Sequence, residues 1–466
     1  MLKKIITASL AMAFLTLTSC EKLLDVEPTD KLSNEVVFSD VSGAKAALAG
    51  AYSMLLTTQL YHTNRMVYPD LVAGNIIYLK ETNVKLLDVY SFMQDASTSA
   101  MNETYNQYYT LLNNVNNILT GASRLSDSTN PALRRLEAEG RCLRALAHFD
   151  LLRLFARPYS YTPDASHAGV VINLKPRLYN DPLPVRTTAA GSYKAVTDDL
   201  EAAIRLFSGT SPLLSGGYTQ YTFNAVSAEA LLAKVYLYEH NWQQAYDHTD
   251  NVIRNGGRTL MTNQQYAGSW SSRTPSSESL FELALESNFA GTTLGNYYGD
   301  NSTELQYGVS PALSRQYTAT DVRGTAGLLI PRTIAGTAYL LTGKYKGTAA
   351  NATPVKVLRL TDMVLIRAEA AAHLENLTQA VNDLNSIRMR ADAAAERAEL
   401  QTTAEVINWI RIERRKEFAF EGEYFLDLMR EKLSLPDRSF EDDKMVLPIP
   451  KKATDVNPSL EQNKGY

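Results

Sequence analysis

The chain has 466 residues, 45% hydrophobic and 21% charged, and its 46 Lys and Arg stand against 50 Asp and Glu. The resulting net charge of −4 lacks the basic footprint of a nucleic-acid binder. Two cysteines exclude a disulfide framework and a cysteine-rich zinc site, while the hydrophobic content suffices for a large core.

Lys3 and Lys4 precede an apolar run from Ile5 to Leu17. That run is shorter than the ~20 residues a membrane-spanning helix needs, so residues 1–19 read as a cleavable export signal. Leu17-Thr18-Ser19-Cys20 is the arrangement a lipoprotein peptidase requires, and Cys20 would then carry acyl chains. At ~0.8 kcal/mol per buried methylene, several such chains anchor a protein permanently. Cys142 is left as a small buried hydrophobe on a helix. Residues 20–40 read as an extended arm with Pro28.

The helical scaffold is expected over 41–255 and 359–433. Ser42 to Leu56 carries Ala47, Leu48, Ala51 and Leu55 at helical spacing, and Tyr105 to Leu119 carries Tyr108, Leu111, Leu112 and Val115. Asn130-Pro131 opens a helix to about Phe155, with Pro in its first turn. A Pro-rich loop (157–186) precedes another helix over 189–207. Asn224 to Glu239 and Trp242 to Asn255 are linked only by His240-Asn241, so they must pack antiparallel. This is the layout of a tetratricopeptide unit, and Thr361 to Leu374 with Leu377 to Arg390 is a second. Trp242 is expected to cap the first hairpin and Trp409 to pack the last helices, near 404–421 and 423–433.

Residues 256–358 change character to Gly, Ser, Thr, Asn and Tyr, with short strands expected at Ser279 to Leu285 and Pro354 to Leu360. The predicted fold is therefore all-α: a tetratricopeptide-like helical-hairpin scaffold, with a loop-rich insertion carrying minor β-structure and a tail over 434–466. Residues 20–466 are expected to form one domain. With 26 Tyr against 13 Phe, many tyrosines are expected partly exposed, hydroxyl in water and ring offering a flat apolar face.

No signature of catalysis emerges. The six histidines show no H-E-x-x-H or other close metal spacing, and neither G-x-S-x-G nor a phosphate-binding glycine loop is present. Asp300, Ser302 and Glu304 alternate as an ion loop would, but Leu305 stands where the turn needs glycine. The expectation is a binder with no catalytic residue, cofactor or metal. A lipid-anchored hydrolase, its carboxylates paired only in space, and a plain peptide-gripping scaffold are the other classes.

Six blocks in order resemble the SusD/RagB family of outer-membrane nutrient-binding lipoproteins: EAEGRCLRALAHFDLLRLFARPYS (137–160), RTTAAGSYKAVTDDLEAAI (186–204), FNAVSAEALLAKVYLY (223–238), VLRLTDMVLIRAEAAAHL (357–374), IRIERRKEFAFEGEYFLDLMR (410–430) and the tail LPIPKKATDVNPSLEQNKGY. Tyr424 stands where the family usually has Arg, Ala453 where it has Glu and Lys464 where it has Pro. The charges in these blocks (Arg141, Arg144, Glu369, Glu413, Arg414, Arg415, Glu417, Glu421) read as helix-borne ion pairs, Glu137 and Arg141 lying one turn apart. The resemblance implies a surface-exposed, lipid-anchored lid that binds oligosaccharide at the outer membrane and passes it to a SusC-like TonB-dependent transporter; a RagB-like peptide binder is the alternative. It also implies that contacts come from the segment before the second helix and from the insertion. Those stretches offer Tyr61, Asn64, Asp70, Asn75, Tyr78, Asn102 and Tyr105, then Tyr266, Trp270, Arg273, Tyr297, Tyr298, Asn301 and Tyr307. Trp270, flanked by Gly and Ser, is the leading candidate.

Overall fold

The computed structural model describes residues 34–80, 84–125, 129–214, 217–285, 289, 291–299, 304–325, 327–345, 347 and 352–466. The expected export signal, Cys20, Asn301 and the Asp300/Ser302 part of the alternating run lie outside the described residues. The first part of the chain gives α1 (Asn34–Val37), α2 (Val41–Leu55), α3 (Asn64–Val72), β1 (Ile76–Tyr78), α4 (Leu87–Tyr90), α5 (Asn102–Arg124), α6 (Pro131–Phe155) and α7 (Ala189–Leu206). Next come α8 (Ala225–Tyr238), α9 (Trp242–Asn255), α10 (Asn263–Ser269), β2 (Ser279–Leu283), α11 (Leu294–Tyr298), β3 (Tyr307–Val309), α12 (Pro311–Ser314), β4 (Leu329–Ile334), β5 (Thr337–Thr342) and β6 (Val355–Arg359). The last elements are α13 (Leu360–His373), α14 (Leu377–Ala391), α15 (Thr403–Glu417), α16 (Tyr424–Arg430) and α17 (Lys451–Val456). The fold is helix-dominated, as expected.

Helix α6 shows how the sequence builds the scaffold. Asn130 caps it, its side chain accepting from the Ala132 N–H at 2.9 Å, and Pro131 occupies a position whose N–H would have no helical partner. Leu136, Leu143, Ala147, Leu151 and Leu154 are buried along it, and it packs between α5 and α7. The pairs α8–α9 and α13–α14 are antiparallel hairpins with matching turns. In each, one residue takes positive φ (His240 at 57°, Glu375 at 62°) and the following Asn (Asn241, Asn376) caps the second helix. Trp242 joins the two turns, stacked on His373 at 3.8 Å between ring centres and on His240 at 4.9 Å. Trp409 does not pack as expected: it is 36% exposed, with Arg388 over its ring at 4.5 Å.

The two strands expected in the insertion pair with each other, β2 antiparallel to β6. The sequence reading missed β1–β3 and the β4–β5 hairpin. The latter turns through Ala335 and Gly336, both at positive φ, a turn usually signalled by Asn-Gly. Half of the tyrosines, expected partly exposed, are instead buried, some of them because carboxylates inside the core accept their hydroxyls. Tyr61 and Tyr108 both donate to Asp150, at 2.7 and 2.8 Å, and Tyr52 donates to Glu139 at 2.8 Å.

Charges run through this core in two connected sets. The first starts at Asp150, paired with Arg65 at 2.9 Å and with Arg153. Glu423 meets Arg65, Arg153 and Lys234 at 3.0–3.2 Å. Lys234 continues to Asp362 (3.0 Å), Asp362 to Arg414 (2.8 Å), Arg414 to Asp427 (2.8 Å), Asp427 to Arg430 (2.9 Å) and Arg430 to Glu369. The second set ties the insertion to the end of α15. Glu417 takes Arg323, Arg359 and Arg390, each at 3.0 Å. Arg323 also pairs with Glu413, and Glu421 takes Arg359 and Lys344. The expected pairing of these blocks is present, but mostly between elements: Glu137–Arg141 is one of the few within a helix.

Burial alone would raise the pKa of Glu417 and Glu423, but the cations around them hold both well below the usual carboxylate range. A depressed folded-state pKa gives stability that is full above the unfolded value of ~4.3 and is lost as pH falls through the folded value. The unfolding midpoint should therefore decline as pH falls below about 4. Glu417→Gln, which removes the carboxylate shared by three buried guanidiniums, should cost about 3–5 kcal/mol at pH 7 and make the acid decline shallower. Calorimetry across pH checks both; an unchanged midpoint at pH 7 would contradict the role given to Glu417.

Candidate functional site

The site is built outward from a glycine. Gly422 takes φ 73°, and a Cβ there would sit 2.9 Å from the backbone of Arg65 and Met66. That close approach lets the Gly422 N–H donate to Asp70 at 2.9 Å while its carbonyl accepts from Arg65 at 2.7 Å. Asp70 also accepts from the Asn75 amide at 2.6 Å. Burial pushes the Asp70 carboxyl up to about 6, against the lowering effect of these donors. Asn75 in turn accepts from Arg415 at 2.8 Å through its side chain and from the Ser310 N–H at 3.0 Å through its carbonyl. The register of β1 on β3 follows, with Tyr78 opposite Tyr307.

Both tyrosine hydroxyls donate to the Lys85 carbonyl, at 2.6 and 3.1 Å, and the Lys85 N–H donates to Gln306 at 2.9 Å. The Lys85 ammonium lies 5.3 Å from the centre of the Tyr297 ring. Tyr90 meets Tyr78 edge-on at 5.1 Å and is 40% exposed. Beside this shoulder opens a cleft of about 570 Å³ between the start of α5, the end of the α2–α3 connection and the 84–88 segment. Gln59, Asn64, Lys85, Asp88, Asn102 and Glu103 are among its lining residues. The Asn102 amide nitrogen donates to the Ala96 carbonyl at 2.9 Å, while its buried oxygen has no hydrogen-bond partner among the described residues. A cleft with amides, carboxylates and an ammonium beside tyrosine rings can match a ligand's hydroxyls while offering it a flat apolar face.

Of the residues nominated from sequence, Asn64 and Asn102 line the cleft and Tyr78 stands at its shoulder. Tyr297, Tyr298 and Tyr307 form the buried ring cluster behind them. Asp70 and Asn75 are buried supports, and Tyr61 and Tyr105 are core residues, the latter against Tyr109 and Phe155. Arg273 is exposed on a different loop, its carbonyl accepting from Tyr221. Trp270, expected to present its ring, is only 1% exposed. It packs because three cations converge on it: Lys344 at 4.3 Å, Lys356 at 5.2 Å and Arg359 at 5.5 Å from the ring centre. Tyr266 is buried beside it. Lys85, Asp88, Tyr90, Gln59 and Glu103 were not nominated; the density of Asn, Gln, Asp and Tyr between 57 and 105 was the available signal. Among the described residues no group of His, Cys, Asp and Glu could hold a metal ion, and no helix is long and apolar enough to cross a membrane.

Stacked helical hairpins that carry a loop-built polar cleft define a helical-repeat binding protein. Residues 229–436 match the model of the SusD family, and residues 22–237 match that of the family described as starch-binding associating with outer membrane. The two matches together run through most of the chain, which is a SusD-like protein. A SusD-like protein of Formosa agariphila is 22% identical, over 99% of this chain and 98% of the relative. A SusD superfamily structure from Bacteroides vulgatus is 26% identical with a TM-score of 0.80, covering 91% of this chain and 99% of that one. The structure of a laminarin-binding SusD-like protein, 21% identical, has a TM-score of 0.74 and covers 91% and 99%.

Trp270 supplies a check on the packing. Its indole N–H has no hydrogen-bond partner among the described residues, so its contribution comes from ring area and from the cations on its face. Trp270→Ala should lower stability by about 3–5 kcal/mol, and Trp270→Phe, which keeps a π face, by clearly less. Equal losses in denaturant titration would mean that the ring face contributes nothing.

Proposed function

We propose that the chain captures an oligosaccharide in the cleft between Lys85 and Glu103 and hands it to a SusC-like TonB-dependent transporter, held at the outer membrane by lipid on Cys20. The observation that carries this reading is the polar cleft, whose lining residue Lys85 accepts from the Tyr78 hydroxyl at 2.6 Å, with the exposed Tyr90 ring edge-on to Tyr78. Sugars present apolar C–H faces to aromatic rings and hydroxyls to amides and carboxylates. The match to a starch-binding, outer-membrane-associated family supports the ligand class and the location. Capture and release need no covalent chemistry, so the protein acts as a binder and not as an enzyme. A peptide ligand would want a more apolar groove and backbone pairing.

Calorimetry with starch-derived and laminarin-derived oligosaccharides and with peptides tests this. Binding to a glycan should weaken by roughly tenfold to a hundredfold in Tyr90→Ala and in Asn102→Ala, the equivalent of about 1–3 kcal/mol. Arg273→Ala, distant from the cleft, should bind as the parent does. Binding of peptides alone, or glycan binding indifferent to both cleft variants, would reject the assignment.

A further inference from the structure

The strongest exposed apolar feature lies away from the cleft, on the Pro-rich loop between α6 and α7. Leu174, Leu178, Tyr179, Leu183 and Val185 are all exposed there, Leu178 at 70% and Tyr179 at 102%, and Val456 at the end of α17 is 66% exposed. These side chains point outward from a backbone that is tightly held. Asn116 of α5 donates to the Asn173 and Lys175 carbonyls at 2.9 and 3.2 Å, and Asn113 accepts from the Arg177 N–H at 3.0 Å. Within the loop Arg177 donates to the Pro182 carbonyl at 2.9 Å, and Asp181 accepts from the Leu178 N–H at 2.9 Å. Asn457 donates to the Pro184 carbonyl at 2.6 Å, which ties α17 to the loop's far end. A loop that spends its polar groups on its own fixation and turns its apolar side chains to solvent is a preformed contact surface.

The chain's path indicates what that surface meets. Helix α1 is held to the same stretch of α5, where Asn34 donates to Asn117 at 3.2 Å. Asn117 is adjacent to Asn116 and one turn from Asn113, so the start of the described chain and the base of the loop share one turn of a helix. Counting back from Asn34, the roughly 14 residues to Cys20 reach at most ~50 Å when fully extended. A tether from a lipid on Cys20 therefore meets the described body beside the base of the apolar loop. Lys175 on the loop and Lys452, one turn before Val456, are exposed cations on that side. Leucine, valine and tyrosine beside lysine suit the boundary between acyl chains and anionic headgroups.

We propose that the 174–185 loop together with Val456 seats on the lipid surface and fixes the orientation of the tethered protein; this rests on the lipid-anchor reading above. The first test uses the lipidated full-length chain bearing Tyr179→Cys, labelled with an environment-sensitive fluorophore, in vesicles of equal parts phosphatidylcholine and phosphatidylglycerol. Cys142 is fully buried and does not compete for the label. The emission should shift to the blue on reconstitution. An unshifted emission, or a shift seen only when a transporter is reconstituted alongside, overturns the proposal, the latter in favour of a protein partner. The second test floats the unlipidated chain starting at Glu21, which retains every residue of the core, with the same vesicles. Leu178→Ser combined with Tyr179→Ser should lower its partition coefficient about tenfold or more without shifting its melting point. Flotation that the double variant leaves unchanged overturns the proposal. Mass spectrometry of the mature N-terminus decides the anchor separately: a chain without acyl groups refutes the tether, and flotation still decides the surface.

Discussion

The fold depends on the residues 410–430, which act as one charged hub inside the core. Successive residues of this stretch face different parts of the molecule. Glu413, Glu417 and Glu421 face the insertion, through Arg323, Arg359 and Lys344. Arg414, Glu423 and Arg430 face the helical scaffold, through Asp362, through Lys234 and Arg65, and through Glu369, while Asp427 bridges Arg414 and Arg430. Buried ion pairs of this kind add little net stability, since desolvation offsets the attraction. Their force lies in what they forbid. Any other docking of the insertion on the scaffold would leave a buried charge without its partner, at about 3–5 kcal/mol each.

The hub also reaches the candidate site, through backbone and not through charge. Gly422 lies between Glu421 and Glu423, and its positive φ and lack of a side chain bring the chain against α3. The hydrogen bonds Gly422 to Asp70, Asp70 to Asn75 and Asn75 to Ser310 then set β1 on β3. Arg415, whose neighbours in the motif pair with carboxylates, instead holds the Asn75 amide and lies 4.5 Å from the Tyr424 ring centre. That gives Tyr424, which replaces the Arg usual in this family block, a role as the face on which Arg415 rests. The cleft thus sits at the end of a rigid chain of contacts that begins in the core.

Much of the scaffold was legible in the sequence because helices announce themselves locally. The α6 cap, the Pro at its start and its apolar stripe all fall within 25 residues, and the short hairpin links force antiparallel packing. The site was legible only in outline. Tyr78 and Asn102 could be nominated because polar and aromatic residues are dense around them, but nothing local separates them from Tyr61 or Tyr105. What separates them is long-range: Tyr61 finds Asp150 across 89 positions and is drawn inward by it. Trp270 misled for the same reason. Its Gly and Ser neighbours suggest exposure, while the cations that cover it come from 344, 356 and 359.

The opposite fates of Trp270 and Tyr90 show how this fold divides its aromatic residues. A ring surrounded by buried cations stabilises charges that the hub has already desolvated, so it belongs to the core and cannot leave it cheaply. A ring at the edge of the β1–β3 pair has its inner side packed on Tyr78 and its outer side in water. Only the second kind can exchange water for a ligand without undoing an interaction of the folded state. The division follows from where the buried cations are: Lys344, Lys356 and Arg359 occupy the interior, and aromatic side chains left beyond their reach, near amides and carboxylates, make the surface available for recognition.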